Sequence, residues 1–141
     1  MGAGLGGGSA DAVFALKVLR EMFALDISDQ QLFNYAKKLG SDCPFFVINK
    51  PCIASGTGDI LEQVNINLAD FKIVIINSGI HIDTASAFRD IVPKPPQKKI
   101  REIINLPVKD WKLNLTNDFE ESIFKKFPAI NNIKQSLYQT G

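Results

Sequence analysis

The sequence predicts an α+β fold, and three observations carry that reading. Apolar residues recur at helical spacing from Val13 to Ala36. Two short runs, Cys52–Ser55 and Leu61–Val64, flank the glycine turn Gly56-Thr57-Gly58-Asp59 and read as a hairpin. Phe71–Asn77 is rich in Ile and Val, as strands are.

The elements follow in order. Ser9 is expected to cap a first helix, with Asp11 placing negative charge in the first turn, where the helix dipole favours it. Val13, Leu16, Leu19, Met22 and Phe23 form its apolar stripe, and Lys17, Arg20 and Glu21 fall on the other side. Ser28 followed by Gln31 makes a capping box, so a second helix carries Leu32, Tyr35 and Ala36 until Gly40 ends it. Gly40-Ser41-Asp42-Cys43-Pro44-Phe45-Phe46 puts an acid at a helix entry, with Pro suited to the first turn. After the hairpin comes the Phe71–Asn77 strand, and Asn77-Ser78-Gly79 is the turn that follows it. Thr84 is expected to cap a helix carrying Ala87, Phe88 and Ile91. Val92-Pro93-Lys94-Pro95-Pro96 breaks the chain before two or three short helices, and Pro128–Tyr138 is amphipathic.

Composition limits the function classes. At 141 residues, with 45% hydrophobic content and ten Phe, the chain can bury a core in one or two small domains. Sixteen Lys and Arg against 15 Asp and Glu leave a net charge of +1, without the basic excess that nucleic-acid binding needs. Cys43 and Cys52 lack metal-site spacing and are too few for a secreted disulfide scaffold, which predicts a reducing cytoplasm. The Phe71–Asn77 run falls far short of the roughly 20 residues that span a bilayer, so no membrane segment is expected. The N-terminus carries no basic-then-apolar pattern, which predicts no export signal. No strand precedes the opening glycines and no polar tail follows the last amphipathic segment, so truncation is expected at both ends.

The opening string Gly2-Ala3-Gly4-Leu5-Gly6-Gly7-Gly8-Ser9 carries the chemistry. Glycines just before a helix let backbone N–H groups converge on an anion, and the helix dipole adds to the attraction. Phosphate is the natural ligand. A Walker A loop is excluded, because Gly8 is followed by Ser9-Ala10-Asp11 rather than Lys-Ser or Lys-Thr. Gly2, Gly4 and Gly7 satisfy GxGxxG, but so glycine-rich a string meets that pattern cheaply, and a dinucleotide fold wants a strand after its first helix. A flexible linker or expression scar is the bland alternative, opposed by Leu5 within the run and the helix after it.

Gly2 to Ala12 resembles the phosphate loop of the GHMP kinases, the superfamily of galactokinase, homoserine kinase and mevalonate kinase. Gly40–Phe46, Ala54-Ser55-Gly56-Thr57-Gly58-Asp59 and Gly79-Ile80-His81-Ile82-Asp83-Thr84 extend the resemblance. They narrow it to the branch that phosphorylates the 2-hydroxyl of a cytidine diphosphate-linked methylerythritol on the non-mevalonate route to isoprenoid precursors. The likeness is strongest from Gly2 to Phe88 and faint from Arg101 onward. It implies an incomplete GHMP kinase two-domain architecture, with residues 1–66 the remainder of the N-terminal ATP-binding domain and 67–141 part of the C-terminal domain. The N-terminal strand, adenine pocket and catalytic Lys of the family, and its third glycine motif, are not matched, so these residues alone are expected to be inactive.

The resemblance also implies roles. Gly2, Ala3, Gly4, Leu5, Gly6, Gly7, Gly8, Ser9 and Ala10 hold the ATP phosphates, with the Ser9 hydroxyl near Mg²⁺. Asp42 is the general base, where without the motif an N-cap is the commoner role for such an Asp. Thr84 and Phe88 line the substrate side, Phe88 stacking on cytosine, against a plain core role one turn from Thr84. His81 is expected to be only part of a turn, Asp59 a hairpin residue with a minor role near the phosphates, and Cys43 a buried thiol rather than a nucleophile. The partner is a small molecule. The remaining alternatives are an inactive fragment, another GHMP small-molecule kinase, and a dinucleotide-binding oxidoreductase.

Overall fold

The structure, a computed structural model, describes residues 4–89, 91–92 and 94–140. The chain divides into two compact units, Met1–Phe71 and Lys72–Gly141.

The first unit begins with α1, Gly7–Met22. Its N-cap is Gly6 and not Ser9, which lies inside the helix, and no acid stands in the first turn. Gly6 takes φ 68°, a left-handed conformation open to glycine without a Cβ penalty, so the chain enters the helix two residues before any side chain could cap it. The second helix, α2 (Asp29–Leu39), starts where its sequence says. Ser28 Oγ accepts from the Gln31 N–H at 3.2 Å, and Gln31 Oε1 accepts from the Ser28 N–H at 2.8 Å. Gly40 is its C-cap, and α3 (Cys43–Ile48) follows with Pro44 in its first turn. β1 (Cys52–Ser55) and β2 (Ile60–Gln63) then pair antiparallel, Cys52 opposite Gln63 and Ser55 opposite Ile60.

The three helices meet over a small core. Val13 of α1, Ala36 of α2 and Cys43 of α3 are buried together, with Phe46 and Val47 packed against them. Only Val13 of the expected α1 stripe is fully buried; Leu19, Met22 and Phe23 are exposed. α2 and α3 cover one side of α1, too narrow a contact to enclose a stripe of five apolar residues.

Phe71–Asn77 is not a strand. It runs without ladder partners, and the only sheet among the described residues is the β1–β2 pair. Ile and Val favour the extended backbone, but a strand exists only where a neighbour takes its N–H and C=O groups. Ile73 is 89% and Val74 82% exposed. The turn after it forms as expected, with Gly79 at φ 71° and its N–H donated to Asn77 Oδ1 at 2.8 Å.

The second unit is helical: α4 (Thr84–Arg89), α5 (Ile100–Ile103), α6 (Val108–Asn114), α7 (Glu120–Lys126) and α8 (Pro128–Gln139). Asp83, not Thr84, caps α4, its Oδ2 accepting from the Ser86 N–H at 2.8 Å. The Ser86 hydroxyl first, and then its backbone N–H, hold the Asp83 carboxyl below the usual carboxylate range. Ile103 and Ile123 are buried, and Lys134 Nζ of α8 binds Glu120 Oε1 of α7 at 2.6 Å.

Candidate functional site

The N-terminus of α1 is an open amide cluster. The first intrahelical bond runs from the Ala10 N–H to the Gly6 carbonyl at 2.9 Å, so the N–H groups of Gly7, Gly8 and Ser9 precede it. No side chain caps them. Gly7 and Gly8 are exposed, and a Cβ added at either would meet nothing within 4 Å. Fold stability gives no reason for glycine there, because Ala is better by roughly 0.5–1 kcal/mol per helical position. Space in front of the amides does give one. Of the expected loop residues, Gly2 and Ala3 lie outside those described; Gly4 is a second left-handed glycine at φ 68°, and Leu5 is exposed.

Asp42 shares a cleft with Gly6, the N-cap residue of α1. It is the residue before α3, yet its side chain makes no capping bond; its carboxylate accepts from Ser41 Oγ at 3.3 Å. The carboxylate is exposed and not consumed by the helix it precedes. Gly6 and Asp42 line one cleft of about 270 Å³, whose other walls are Phe45 and Phe46 of α3 and Cys52, Ala54, Gly58 and Leu61 of the hairpin. The fold thus brings Gly6 of the loop and Asp42 to the same opening.

Neighbouring residues shape that opening. The Phe46 ring sits behind Gly6, where an added Cβ would lie 3.3 Å from Cζ. Gly58, at φ 95°, lets the hairpin turn approach the Ser41 carbonyl, which a Cβ would meet at 3.7 Å. Asp59 is fully engaged in holding the turn. It accepts from Thr57 Oγ1 at 2.9 Å and pairs with Lys37 Nζ at 2.6 Å. Those donors, Lys37 first, pull its pKa down to about 2. A minor role at the phosphates does not fit a carboxylate so occupied. Cys43 is buried beneath the site, in line with a structural thiol, and burial raises the Cys52 pKa.

Thr84 and Phe88 lie in the second unit, one turn apart on α4. Phe88 is 63% exposed, which does not suit a core residue. Its ring meets the half-buried Phe119 edge-to-face, centroids 4.9 Å apart and planes at 87°. His81 is exposed in the turn before α4.

Mg²⁺ would fit this donor set only together with phosphate and water oxygens. It prefers substrate phosphates and water with one or two protein oxygens, and Ser9 offers one such hydroxyl within the α1 amide turn. Among the described residues no cluster of three His, Cys, Asp or Glu could cage a metal.

Sequence reasoning missed Lys17 and Lys37. Each reaches its partner across more than twenty residues, so no local signal marks either.

Residues 1–50 match the family described as GHMP kinases N terminal domain. Curated relatives match along nearly the whole chain. Proteins named 4-diphosphocytidyl-2-C-methyl-D-erythritol kinase from Bacteroides fragilis and from Azobacteroides pseudotrichonymphae are both 46% identical, over 99% and 100% of this chain and 51% and 53% of their own lengths. The protein of that name from Chlorobium phaeobacteroides is 37% identical over 99% of the chain and 51% of its own length. The chain spans about half the length of the curated relatives it matches. The order of elements does not agree with a dinucleotide fold, since α1 is followed by α2 and no strand intervenes.

Proposed function

We propose that this chain is part of a GHMP kinase of the 4-diphosphocytidyl-2-C-methyl-D-erythritol kinase family, as the match over residues 1–50 and the curated relatives support, and that it serves transfer of the ATP γ-phosphoryl group to the 2-hydroxyl of 4-diphosphocytidyl-2-C-methyl-D-erythritol. The observation that supports the reading is the cleft shared by Asp42, whose side chain does not cap α3, and Gly6, the N-cap residue of the uncapped α1.

The roles follow from what phosphoryl transfer requires. The nucleotide phosphates must be held, and the amides of Gly7, Gly8 and Ser9 at the positive end of a 16-residue helix do that with no side-chain charge. The missing Cβ atoms allow the backbone to reach the phosphate oxygens. Mg²⁺, when bound through Ser9 and the phosphates, supplies charge neutralisation. Asp42 accepts the proton of the acceptor hydroxyl on a carboxylate oxygen as that hydroxyl's oxygen bonds to the γ-phosphorus and the bond to the ADP oxygen breaks. Thr84 and Phe88 belong to acceptor recognition, with the exposed face of the Phe88 ring stacking on cytosine. Residues 1–66 are read as the remainder of the ATP-binding domain, which the match over residues 1–50 supports, and 67–141 as part of the C-terminal domain. The Cys43 and Cys52 thiols support a cytoplasmic setting.

Two measurements test this. Isothermal titration of the chain with Mg·ATP reads the amide cluster alone, and absence of any heat of binding from folded protein would remove the phosphate site. In the complete native reading frame that contains these residues, Asp42→Asn is expected to lower kcat by about 10²–10⁴ with ATP affinity nearly unchanged. Unchanged kcat would remove Asp42 as the base.

A further inference from the structure

α3 is short, six residues, and it begins at the proposed base. What holds it in place is therefore what places Asp42. Its last carbonyls have no intrahelical donors, and a cation suits that negative end. Lys17 of α1 supplies one. Its Nζ donates to the Phe46 carbonyl at 2.8 Å and to the Val47 carbonyl at 3.1 Å, and the ammonium lies 5.2 Å from the centre of the Phe14 ring.

Phe46 is held a second time by the same helix. Its ring sits against Gly6, where no Cβ intervenes. The first helix and its N-cap thus hold Phe46 of α3 twice, at its carbonyl through Lys17 and at its ring against Gly6, in addition to the packing of Val13 with Cys43. Asp42 contributes no anchor of its own, because its side chain makes no capping bond.

We propose that Lys17 is a positioning residue for phosphoryl transfer: its two hydrogen bonds to the end of α3 set Asp42 relative to the amides of Gly7, Gly8 and Ser9. The proposal rests on the reading of Asp42 as the base. Lys17 itself does not face the cleft. A misplacement of about 1 Å at a reacting group costs on the order of 100-fold in rate, so a tie of this kind has a large lever on kcat and little on nucleotide affinity.

The test is a double-mutant cycle in the complete native reading frame, with kcat and KM for ATP measured beside a thermal melt. Lys17→Met keeps the apolar stem and removes both donors, and it is expected to lower kcat by about 10- to 100-fold with KM for ATP little changed. Lys17→Arg, which keeps donors and charge, restores most of the rate. In an Asp42→Asn background, Lys17→Met adds no further loss of kcat, because it acts through a group already removed. If Lys17→Met does not fold, Lys17→Gln takes its place, keeping a neutral donor and giving a smaller loss of kcat. Folded Lys17→Met or Lys17→Gln with wild-type kcat overturns the proposal, as does a loss of equal size in the Asp42→Asn background. Wild-type kcat for Asp42→Asn alone instead overturns the assignment of the base.

Discussion

Lys37, near the C-terminus of α2, holds the Asp59 carboxylate of the hairpin turn at 2.6 Å, Nζ to Oδ2. The pair ties the turn to the helical layer. With Gly58 close to the Ser41 carbonyl, it fixes the hairpin wall of the cleft that Asp42 lines.

This pair makes a pH-dependent contribution to stability whose sign follows from the Asp59 shift. The folded-state pKa is lowered to about 2, first by the Lys37 bond and then by Thr57. A carboxyl depressed on folding stabilises fully above its unfolded value, about 3.9, and the contribution is lost as pH falls through about 2. Asp59→Asn is therefore expected to be less stable than the parent by a constant amount at neutral pH. That gap should narrow as the pH is lowered through this range. Urea melts of both proteins at stepped pH measure it. A gap that stays constant down to the lowest pH at which both proteins fold would show that Lys37–Asp59 is not the source.

What was legible in the sequence was local. Ser28 and Gln31 are three residues apart and cap α2 by themselves, and the glycines of the 56–59 turn specify a hairpin whatever surrounds them. Phe71–Asn77 carries strand composition just as clearly, but no residue within it supplies the partner that a ladder needs. The start of α1 was misplaced because a left-handed Gly6 caps with no side chain to read. For the candidate site, the residue types were legible at Gly6 and Asp42. Their shared cleft was not, because Lys17, Phe46 and Lys37 build it by contacts between elements. Nor did the sequence reveal that Asp42 leaves the α3 cap unmade, which is the feature that frees its carboxylate.

Phe88 separates recognition from structure. Its ring is largely exposed, and its contact is the edge-to-face pair with Phe119, so Phe88→Ala costs the fold only about 0.5–1.5 kcal/mol from that pair. Affinity for the cytidine-bearing acceptor is expected to fall by about 1–3 kcal/mol through lost stacking, with ATP affinity unchanged. Titrations with each ligand in the complete native reading frame, alongside circular dichroism, measure this. Equal losses for both ligands would assign Phe88 to structure alone.

Neighbouring glycines in the loop should respond to the same substitution in opposite ways. Gly6 has φ 68°, and an added Cβ would lie 3.3 Å from the Phe46 ring. Gly6→Ala therefore meets both a left-handed backbone cost of roughly 1–2 kcal/mol and a ring that must shift. It is expected to lower the melting temperature. Gly8 lies within the first turn of α1, and an added Cβ there meets nothing within 4 Å. Gly8→Ala removes unfolded-state freedom at a position that accepts Ala, so it is expected to raise stability by about 0.4–1 kcal/mol. The new methyl group would nonetheless stand where the backbone must approach phosphate, so the more stable variant should bind Mg·ATP more weakly. Thermal melts and calorimetric titrations of both variants supply the comparison. Gly8→Ala that gains stability and keeps its ATP affinity would leave the glycine run without a phosphate to explain it.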